Sequence, residues 1–523
     1  MAPQKTKDGP VIVVGAGPVG LVAAIELARR GVDVRIVDMA DGPSAGSRGK
    51  GLQPRSIEVM DDLGIAGRIL ATGRSRLPIR KYRGRTVLGV GEVNPDAGDP
   101  TPSTPYPRTL LVPQWRVEEA LRERLDELGV RVEYGTELTG VEQDAGNVHA
   151  TLRTTHGRED RSFAYLVGCD GASSTVRGLL GTGFLGRTDE TVRMLTADVE
   201  LSGLDRDFWH WWPGADGGLL ALCPLAASDA FQLQVAVAPD VGTEVPAAGI
   251  QKLVEERTGR TDIRVRRVAW QSVWRFNVRM VDRYRTGRVF LVGDAAHVHA
   301  PAGGLGMNTG IQDAYNLGWK LAHVLAGAPQ TLLDTYEQER LPVAADVLDL
   351  SGRLVDGRFK GLVPGEQRGS DTRQLTVHYP VGDLVGSPRQ EGAAVQAGDR
   401  APDSLLSRGN GSDVRVFDLL RGTHTSVLAF GPRSAAVAAG LRGHFPAGIR
   451  AFDLLGAGVS VPGGGENAFA DSAGHARADY AVGGDTLFVI RPDGYVGLRL
   501  TDPDRTTVLR YLARLLPAVD TSE

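Results

Sequence analysis

The feature that most constrains this chain is a glycine-rich turn set between an apolar run and a helical stretch near its start. Val11-Ile12-Val13-Val14 reads as a buried parallel strand. Gly15-Ala16-Gly17-Pro18-Val19-Gly20 follows, and Leu21 to Arg30 is helical by composition, with Leu21, Ile25 and Ala28 on one side. Gly31 caps that helix, and Val34-Arg35-Ile36-Val37 forms a second strand closed by Asp38. Strand, turn, helix and strand within roughly 30 residues make a βαβ unit. A bare Gly-x-Gly-x-x-Gly string says little. Here it joins a strand to a helix and has an acid 18 residues past Gly20, the context of a dinucleotide fingerprint. The glycines allow a tight turn and close backbone approach, while the helix start offers unpaired N–H groups and partial positive charge to a pyrophosphate. Asp38 is placed to accept hydrogen bonds from an adenosine ribose. Dinucleotide binding is favoured over an empty glycine turn.

Two further segments narrow the choice of dinucleotide. Tyr165-Leu166-Val167-Gly168-Cys169-Asp170-Gly171 is a buried strand leading into an Asp-Gly turn, with a basic helix start at Arg177. Arg288 to Gly293 is a strand ending in Gly-Asp at Asp294, followed by Pro301-Ala302-Gly303-Gly304-Leu305-Gly306-Met307-Asn308, which opens a helix running to about Leu325. Between them, from about 185 to 275, segments such as Ala197-Asp198-Val199-Glu200-Leu201 and Phe231-Gln232-Leu233-Gln234-Val235 alternate apolar with polar. That is the period of a half-solvated antiparallel sheet. Residues 55–71 and 116–128 read as helices, 130–134 as a strand, and 364–402 as a Pro/Gly-rich linker.

A length of 523 residues predicts two to four domains. Hydrophobic and charged fractions of 42% and 23% exclude global disorder. A net charge of −4 argues against nucleic acid or an anionic membrane as the main partner. Cys169 and Cys223 are the only cysteines, so there is neither a disulfide framework nor a Cys-based metal pattern. No secretory signal or membrane-spanning run is expected, and the chain reads as soluble and cytoplasmic.

The three fingerprints, in this order and spacing, resemble the class A flavoprotein monooxygenases with the para-hydroxybenzoate hydroxylase fold. Within that group the chain is most similar to bacterial aromatic polyketide hydroxylases and their Baeyer–Villiger relatives. The resemblance implies an α/β fold in three parts. A discontinuous Rossmann-like FAD-binding domain would span 1–184 and 275–395, with strands around 81–108 serving the substrate sheet. An antiparallel substrate domain would span 185–274, and a thioredoxin-like domain 396–523. Neither cysteine lies in that last segment, which excludes dithiol chemistry there.

Residue by residue, the resemblance implies that Gly15, Gly17, Pro18, Val19, Gly20 and Asp38 hold the ADP half of FAD. Arg48 and Gln114 would contact the pyrophosphate and ribityl region, Leu138 the adenine through its backbone, and Asp294 a ribityl hydroxyl. Asp170 lies in a turn linked to FAD and nicotinamide binding. Gly304, Gly306, Met307 and Asn308 would present N–H groups to the pyrimidine edge of the flavin. A helix start there also suits the negative charge of reduced flavin. NADH or NADPH would act as transient reductant without a domain of its own, since only one βαβ fingerprint exists. Oxygen from O2, carried as a flavin C4a-(hydro)peroxide, would pass to a large aromatic substrate held by a monomer or homodimer.

Aromatic hydroxylation is the leading outcome, with Baeyer–Villiger oxidation and antibiotic-inactivating oxygenation as alternatives, and a flavin-binding scaffold as the non-enzymatic rival. Trp209-His210-Trp211-Trp212-Pro213 resembles a flavin-halogenase signature only imperfectly. Trp211, Trp212, Phe231, Trp274 and Pro301 are expected to line the substrate site, with plain core as the competing reading for the aromatics. His297 and His299 are expected to be structural, and no catalytic acid or base is assigned.

Overall fold

The computed structural model describes residues 10–214, 219–299, 303–359, 369–389, 395–442, 448–456, 458–459, 461 and 466–517. Pro301 lies outside them. The βαβ unit forms the middle of a six-stranded sheet. Its strands run in the order Arg285–Thr286, Val289–Leu291, Tyr165–Gly168, Val11–Val14, Val34–Val37 and Val132–Glu133, parallel except for the hairpin at the first edge. Covered on both faces, the central strand is apolar at every position, as a buried parallel strand requires. The strand expected over 130–134 shrinks to two paired residues because only one neighbour holds this sheet edge.

The first helix is Pro18–Ala28, starting three residues earlier than its composition suggests. Proline at the helix start loses no hydrogen bond, so the fingerprint itself supplies the first turn. The helix expected over 55–71 is two helices, Pro54–Asp62 and Ala66–Thr72, divided at Leu63-Gly64-Ile65. Helix Gln114–Glu127 packs against the first helix, as does Gly306–Leu325, which is buried along nearly its whole length.

The alternating segments build an eight-stranded sheet. Its order is His297–Val298, Arg264–Val281, Phe184–Ser202, Phe231–Val237, Leu220–Pro224, Trp209–Trp212, Ile79–Arg83 and Thr86–Gly91. The two longest strands pair antiparallel from Phe184 opposite Val281 to Ser202 opposite Arg264, so the ladder runs on past residue 274 toward the parallel sheet. One face is covered by helix Ala247–Thr258, whose Ile250 and Val254 pack with Leu195, Ala197, Leu220, Leu222, Leu233 and Val235. The opposite face carries Trp209, Trp211, Met194, Ala221, Cys223 and Phe276 beneath Leu77, Val93 and Leu111.

The C-terminal part is a seven-stranded mixed sheet. Strand Thr425–Phe430, helix Pro432–Arg442 and strand Ile449–Leu455 form a parallel βαβ unit. The antiparallel hairpin Thr486–Ile490 and Val496–Leu500 lies on its other side, followed by helix Arg505–Leu512, a thioredoxin-like arrangement. The turn of that hairpin docks behind helix Gly306–Leu325. Arg491 bonds Glu339 at 2.5 Å and Asp493 at 2.5 Å, Lys320 Nζ lies 2.7 Å from Glu339, and Trp319 Nε1 donates to Asp493 at 3.1 Å. Burial opposes the Glu339 charge, but Arg491 and Lys320 overcome it and hold its pKa down to about 2. Among the described residues, no helix is long and apolar enough to cross a membrane.

Candidate active site

Two helix starts face one cavity. The first-turn N–H groups of Pro18–Ala28 and of Gly306–Leu325 receive no side-chain cap, and neither first turn carries an acid. Helix starts left in this state are anion sites. The cavity has a volume of about 610 Å³, within the ~300–1,000 Å³ usual for ligand clefts.

Thirteen of the expected cofactor residues line it: Gly15, Gly17, Pro18, Val19, Asp38, Arg48, Gln114, Leu138, Asp170, Asp294, Gly304, Gly306 and Met307. Gly15 sits at φ +99°, and a Cβ there would lie 2.4 Å from the Cys169 carbonyl oxygen. Gly20 lies behind the cavity wall, where a Cβ would come within 1.9 Å of the Gly15 carbonyl oxygen, so its absence lets helix meet strand. A Cβ on Gly17 would meet nothing within 4 Å. The space over the middle glycine is therefore left for a ligand.

Asp38 accepts hydrogen bonds from the amides of Ala16 at 2.7 Å and Ala40 at 2.9 Å, which fixes its carboxylate at the cavity rim. Arg48 makes no hydrogen bond or ion pair with a described residue. Gln114 accepts from the Gly49 amide at 3.1 Å and donates to Glu118 at 2.8 Å, tying the Arg48 segment to its helix. Asp170 accepts from Ser174 Oγ at 2.6 Å and the Val176 amide at 2.9 Å, so it shapes the turn that walls the cavity. Asp294 opens its side chain into the cavity, and protein encloses it elsewhere. That enclosure raises its carboxyl pKa against the lowering fields of His297 and Arg48, and no described residue donates a hydrogen bond to it.

Asn308 does not reach the cavity. Its side chain accepts from the Gln53 amide at 2.7 Å and donates to the Gly51 and Gly304 carbonyls at 3.0 and 2.6 Å, stapling segment 51–53 to the helix start. His297 is fully buried and bonds Asp313 at 2.7 Å, which Arg340 also holds at 2.6 Å. Burial opposes the Asp313 charge, yet Arg340 and His297 keep its pKa below the ordinary value. His299 lines the cavity near Gly306. This donor set suits a dinucleotide: open amides at two helix starts, a free guanidinium between them, and a carboxylate at either end. Among the described residues no group of three or more His, Cys, Asp or Glu is placed to hold a metal.

The aromatic expectations divide by sheet face. Trp211 lies on the face opposite helix Ala247–Thr258, edge-on to Trp209 at 6.0 Å. Trp274 shares that face, where it donates to Thr196 Oγ1 at 2.9 Å and meets Phe276 edge-on at 4.9 Å. Trp212 and Phe231 are corrected. Both point to the helix-covered side, where Trp212 stacks on Tyr82 at 4.6 Å and bonds the Gly84 carbonyl at 3.0 Å, so they are core. Strand alternation sends neighbours to opposite faces, and Trp211, 1% exposed, is likewise buried in the hydrophobic cluster on its own face.

Sequence reasoning missed the group that ties this sheet to the cavity. Ser47 donates to Asp198 through its amide at 2.8 Å and through its hydroxyl, and Gln232 donates to Ser47. Lys50 donates to Gln232 Oε1 at 2.5 Å and lies 4.6 Å from the Trp209 ring centroid. The available signal was Gln232 and Gln234 spaced by two within an otherwise apolar strand, which puts both on one face.

Comparison with known proteins identifies the family. A family model described as FAD binding domain matches residues 8–351, and the chain belongs to that family. A flavin-dependent monooxygenase of Mycobacteroides abscessus is 42% identical over 97% of this chain and 100% of its own length. A 12-dehydrotetracycline 5-monooxygenase/anhydrotetracycline 6-monooxygenase of Streptomyces rimosus is 32% identical over 93% of this chain and 94% of its own. The crystal structure of aklavinone-11 hydroxylase with FAD and aklavinone is 26% identical, covers 98% of this chain and 100% of that one, and has a TM-score of 0.81. The chain is thus an FAD-dependent monooxygenase of the para-hydroxybenzoate hydroxylase-like fold, using NAD(P)H and O2.

Proposed function

We propose that this enzyme hydroxylates a polycyclic aromatic substrate of the polyketide type. The observation that carries this reading is the sheet face bearing Trp209, Trp211 and Trp274, tied by Ser47, Lys50, Gln232 and Asp198 to the segment that walls the cofactor cavity. The tetracycline and aklavinone relatives support it by the substrates in their names.

Bound FAD, once reduced by NAD(P)H, supplies the O2 activation. The protein binds, orients and excludes water. In this reading Gly17 and the start of helix Pro18–Ala28 hold the pyrophosphate, with Arg48 adding charge. Asp38 takes the ribose of the adenosine, the Leu138 backbone meets adenine, and Asp294 accepts from a ribityl hydroxyl. The amides of Gly306 and Met307 face the pyrimidine edge of the flavin, where they stabilise negative charge through the helix dipole. The six-stranded sheet carries the cofactor, the eight-stranded sheet the substrate, and the thioredoxin-like part braces the helix that begins at Gly306.

The test is to screen polycyclic phenols and quinones for stimulated NAD(P)H consumption and to weigh the products. A phenol heavier by one oxygen is expected. A lactone as the sole product contradicts hydroxylation and assigns Baeyer–Villiger chemistry.

A further inference from the structure

We propose that Gln53, held by Thr109, is a positioning residue for the flavin: it turns the Gly303–Gly304 peptide so that the Gly304 amide faces the cofactor. The inference rests on the reading above that sets the pyrimidine edge of the flavin at the start of helix Gly306–Leu325. Gln53 caps helix Pro54–Asp62, is fully buried and does not line the cavity. Its Nε2 donates to the Gly303 carbonyl at 2.8 Å, and its Oε1 accepts from Thr109 Oγ1 at 2.8 Å. A carbonyl only accepts, so the Gln53 side chain must present its nitrogen to the turn. Thr109, itself buried, then satisfies the oxygen at the other end.

A peptide is planar and, here, trans, so its carbonyl and its N–H point in opposite directions. Gly304 lines the cavity and Gln53 lies behind it. Drawing the Gly303 oxygen back toward Gln53 therefore sends the Gly304 N–H forward, and no described residue accepts a hydrogen bond from it. The next carbonyl, that of Gly304, is drawn back in the same way by Asn308 Nδ2 at 2.6 Å, while Asn308 Oδ1 accepts from the Gln53 amide at 2.7 Å. Two successive carbonyls held inward leave successive N–H groups outward, a nest that attracts negative charge.

Gly303 and Gly304 lie at φ +77° and +67°. A peptide between two glycines has no side chain to resist rotation of its plane, so a neighbour must set its orientation. Reduced flavin gathers negative charge on its pyrimidine edge, and an N–H aimed there favours the reduced form. The same peptide turned over would present a carbonyl oxygen and disfavour it. Gln53 thus acts on the flavin through the backbone, without touching it.

The test measures FAD affinity and midpoint potential in the full-length FAD-loaded protein. Gln53→Leu keeps the bulk and removes the tie. Its preference for reduced over oxidised FAD is expected to fall about tenfold, a midpoint potential lower by about 30 mV for a two-electron couple. Thr109→Val is expected to move the potential the same way by less, and Thr109→Ser to keep the wild-type value. Asp294→Ala sets the contrast, because a ribityl hydrogen bond is alike in both redox states: FAD should bind more weakly at an unchanged potential. An unchanged potential in Gln53→Leu overturns the positioning role, and so does a fall of equal size in Asp294→Ala, which would mark a general loosening. Should Gln53→Leu fail to fold or to hold FAD, Thr109→Val decides by the same criterion. Wild-type FAD affinity in Asp294→Ala, together with unchanged potentials throughout, overturns the flavin placement on which the role rests.

Discussion

Substituting Gly17 by alanine separates the cofactor cradle from the fold. Gly17 caps the first helix at φ −71° and ψ −178°, a conformation open to alanine, and the added Cβ would touch nothing within 4 Å. Alanine is a poorer cap than glycine by a few tenths to about 1 kcal/mol. Restricting the unfolded chain returns about 0.4–1 kcal/mol. The two nearly cancel, so the FAD-free variant should melt within about 2 °C of the wild type.

The methyl group instead takes the space through which a pyrophosphate reaches the helix amides. Losing one or two charge-assisted hydrogen bonds of about 1.5 kcal/mol each weakens FAD binding roughly 10- to 100-fold. Gly20→Ala is the contrasting variant. Its Cβ would lie 1.9 Å from the Gly15 carbonyl oxygen, backbone against backbone, so the helix must shift. Overpacking of this kind costs about 1–3 kcal/mol in the FAD-free protein itself. The assay strips FAD, melts each variant, and then titrates FAD by quenching of its fluorescence. Wild-type FAD affinity in Gly17→Ala, or equal destabilisation of the two FAD-free variants, would refute the reasoning.

Asp294→Ala should lose FAD on dilution, since a ribityl hydrogen bond is worth about 0.5–1.5 kcal/mol and more when charge-assisted; equilibrium dialysis measures it, and full retention contradicts the assignment. Glu339→Gln should destabilise the protein by about 3 kcal/mol, because Lys320 is left buried without a carboxylate partner and Arg491 keeps only Asp493; urea unfolding reads the loss, and a change below about 1 kcal/mol contradicts the docking account. Stability should fall as pH drops from about 6.5 toward 4. Burial first, then Arg30, lowers the pKa of His323 to about 4, while burial first, then Arg450, lowers that of His424 to about 4. The unfolded chain takes up protons near 6.5 that the folded protein refuses until about 4, so their contribution is complete above the unfolded value and lost through the folded one. Each is worth on the order of 2 kcal/mol, and thermal melts of His323→Gln against pH should show a flatter acid limb than the wild type.

The parts of the molecule set by short-range pattern were legible in the sequence. The strand, glycine turn and helix from Val11 to Ala28 carry their own signals, as do the Gly-Asp turn at Asp294 and the helix start at Gly306. Alternation over 197–201 and 231–235 gave the antiparallel sheet but not which face would be covered. That depends on helix Ala247–Thr258, 10 residues beyond strand Phe231–Val237, and its choice of side sent Trp212 and Phe231 into core. Lys50, Gln232 and Gln234 were illegible for the same reason. Their meeting joins residues 182 apart in sequence, and no local pattern encodes which loop will land on which strand. Asn308 was read as part of the flavin turn because a motif gives position, whereas the direction of its side chain follows from the acceptors at Gly51 and Gly304.

The most direct measurement is the fate of oxygen in a reaction run under isotopically heavy O2, with NAD(P)H, the FAD-loaded protein and a polycyclic phenol. A product carrying one heavy oxygen atom on an aromatic carbon, formed only when flavin is bound, is the predicted result. Consumption of NAD(P)H with all of the heavy oxygen recovered in hydrogen peroxide and water, across substrates that bind, would contradict it.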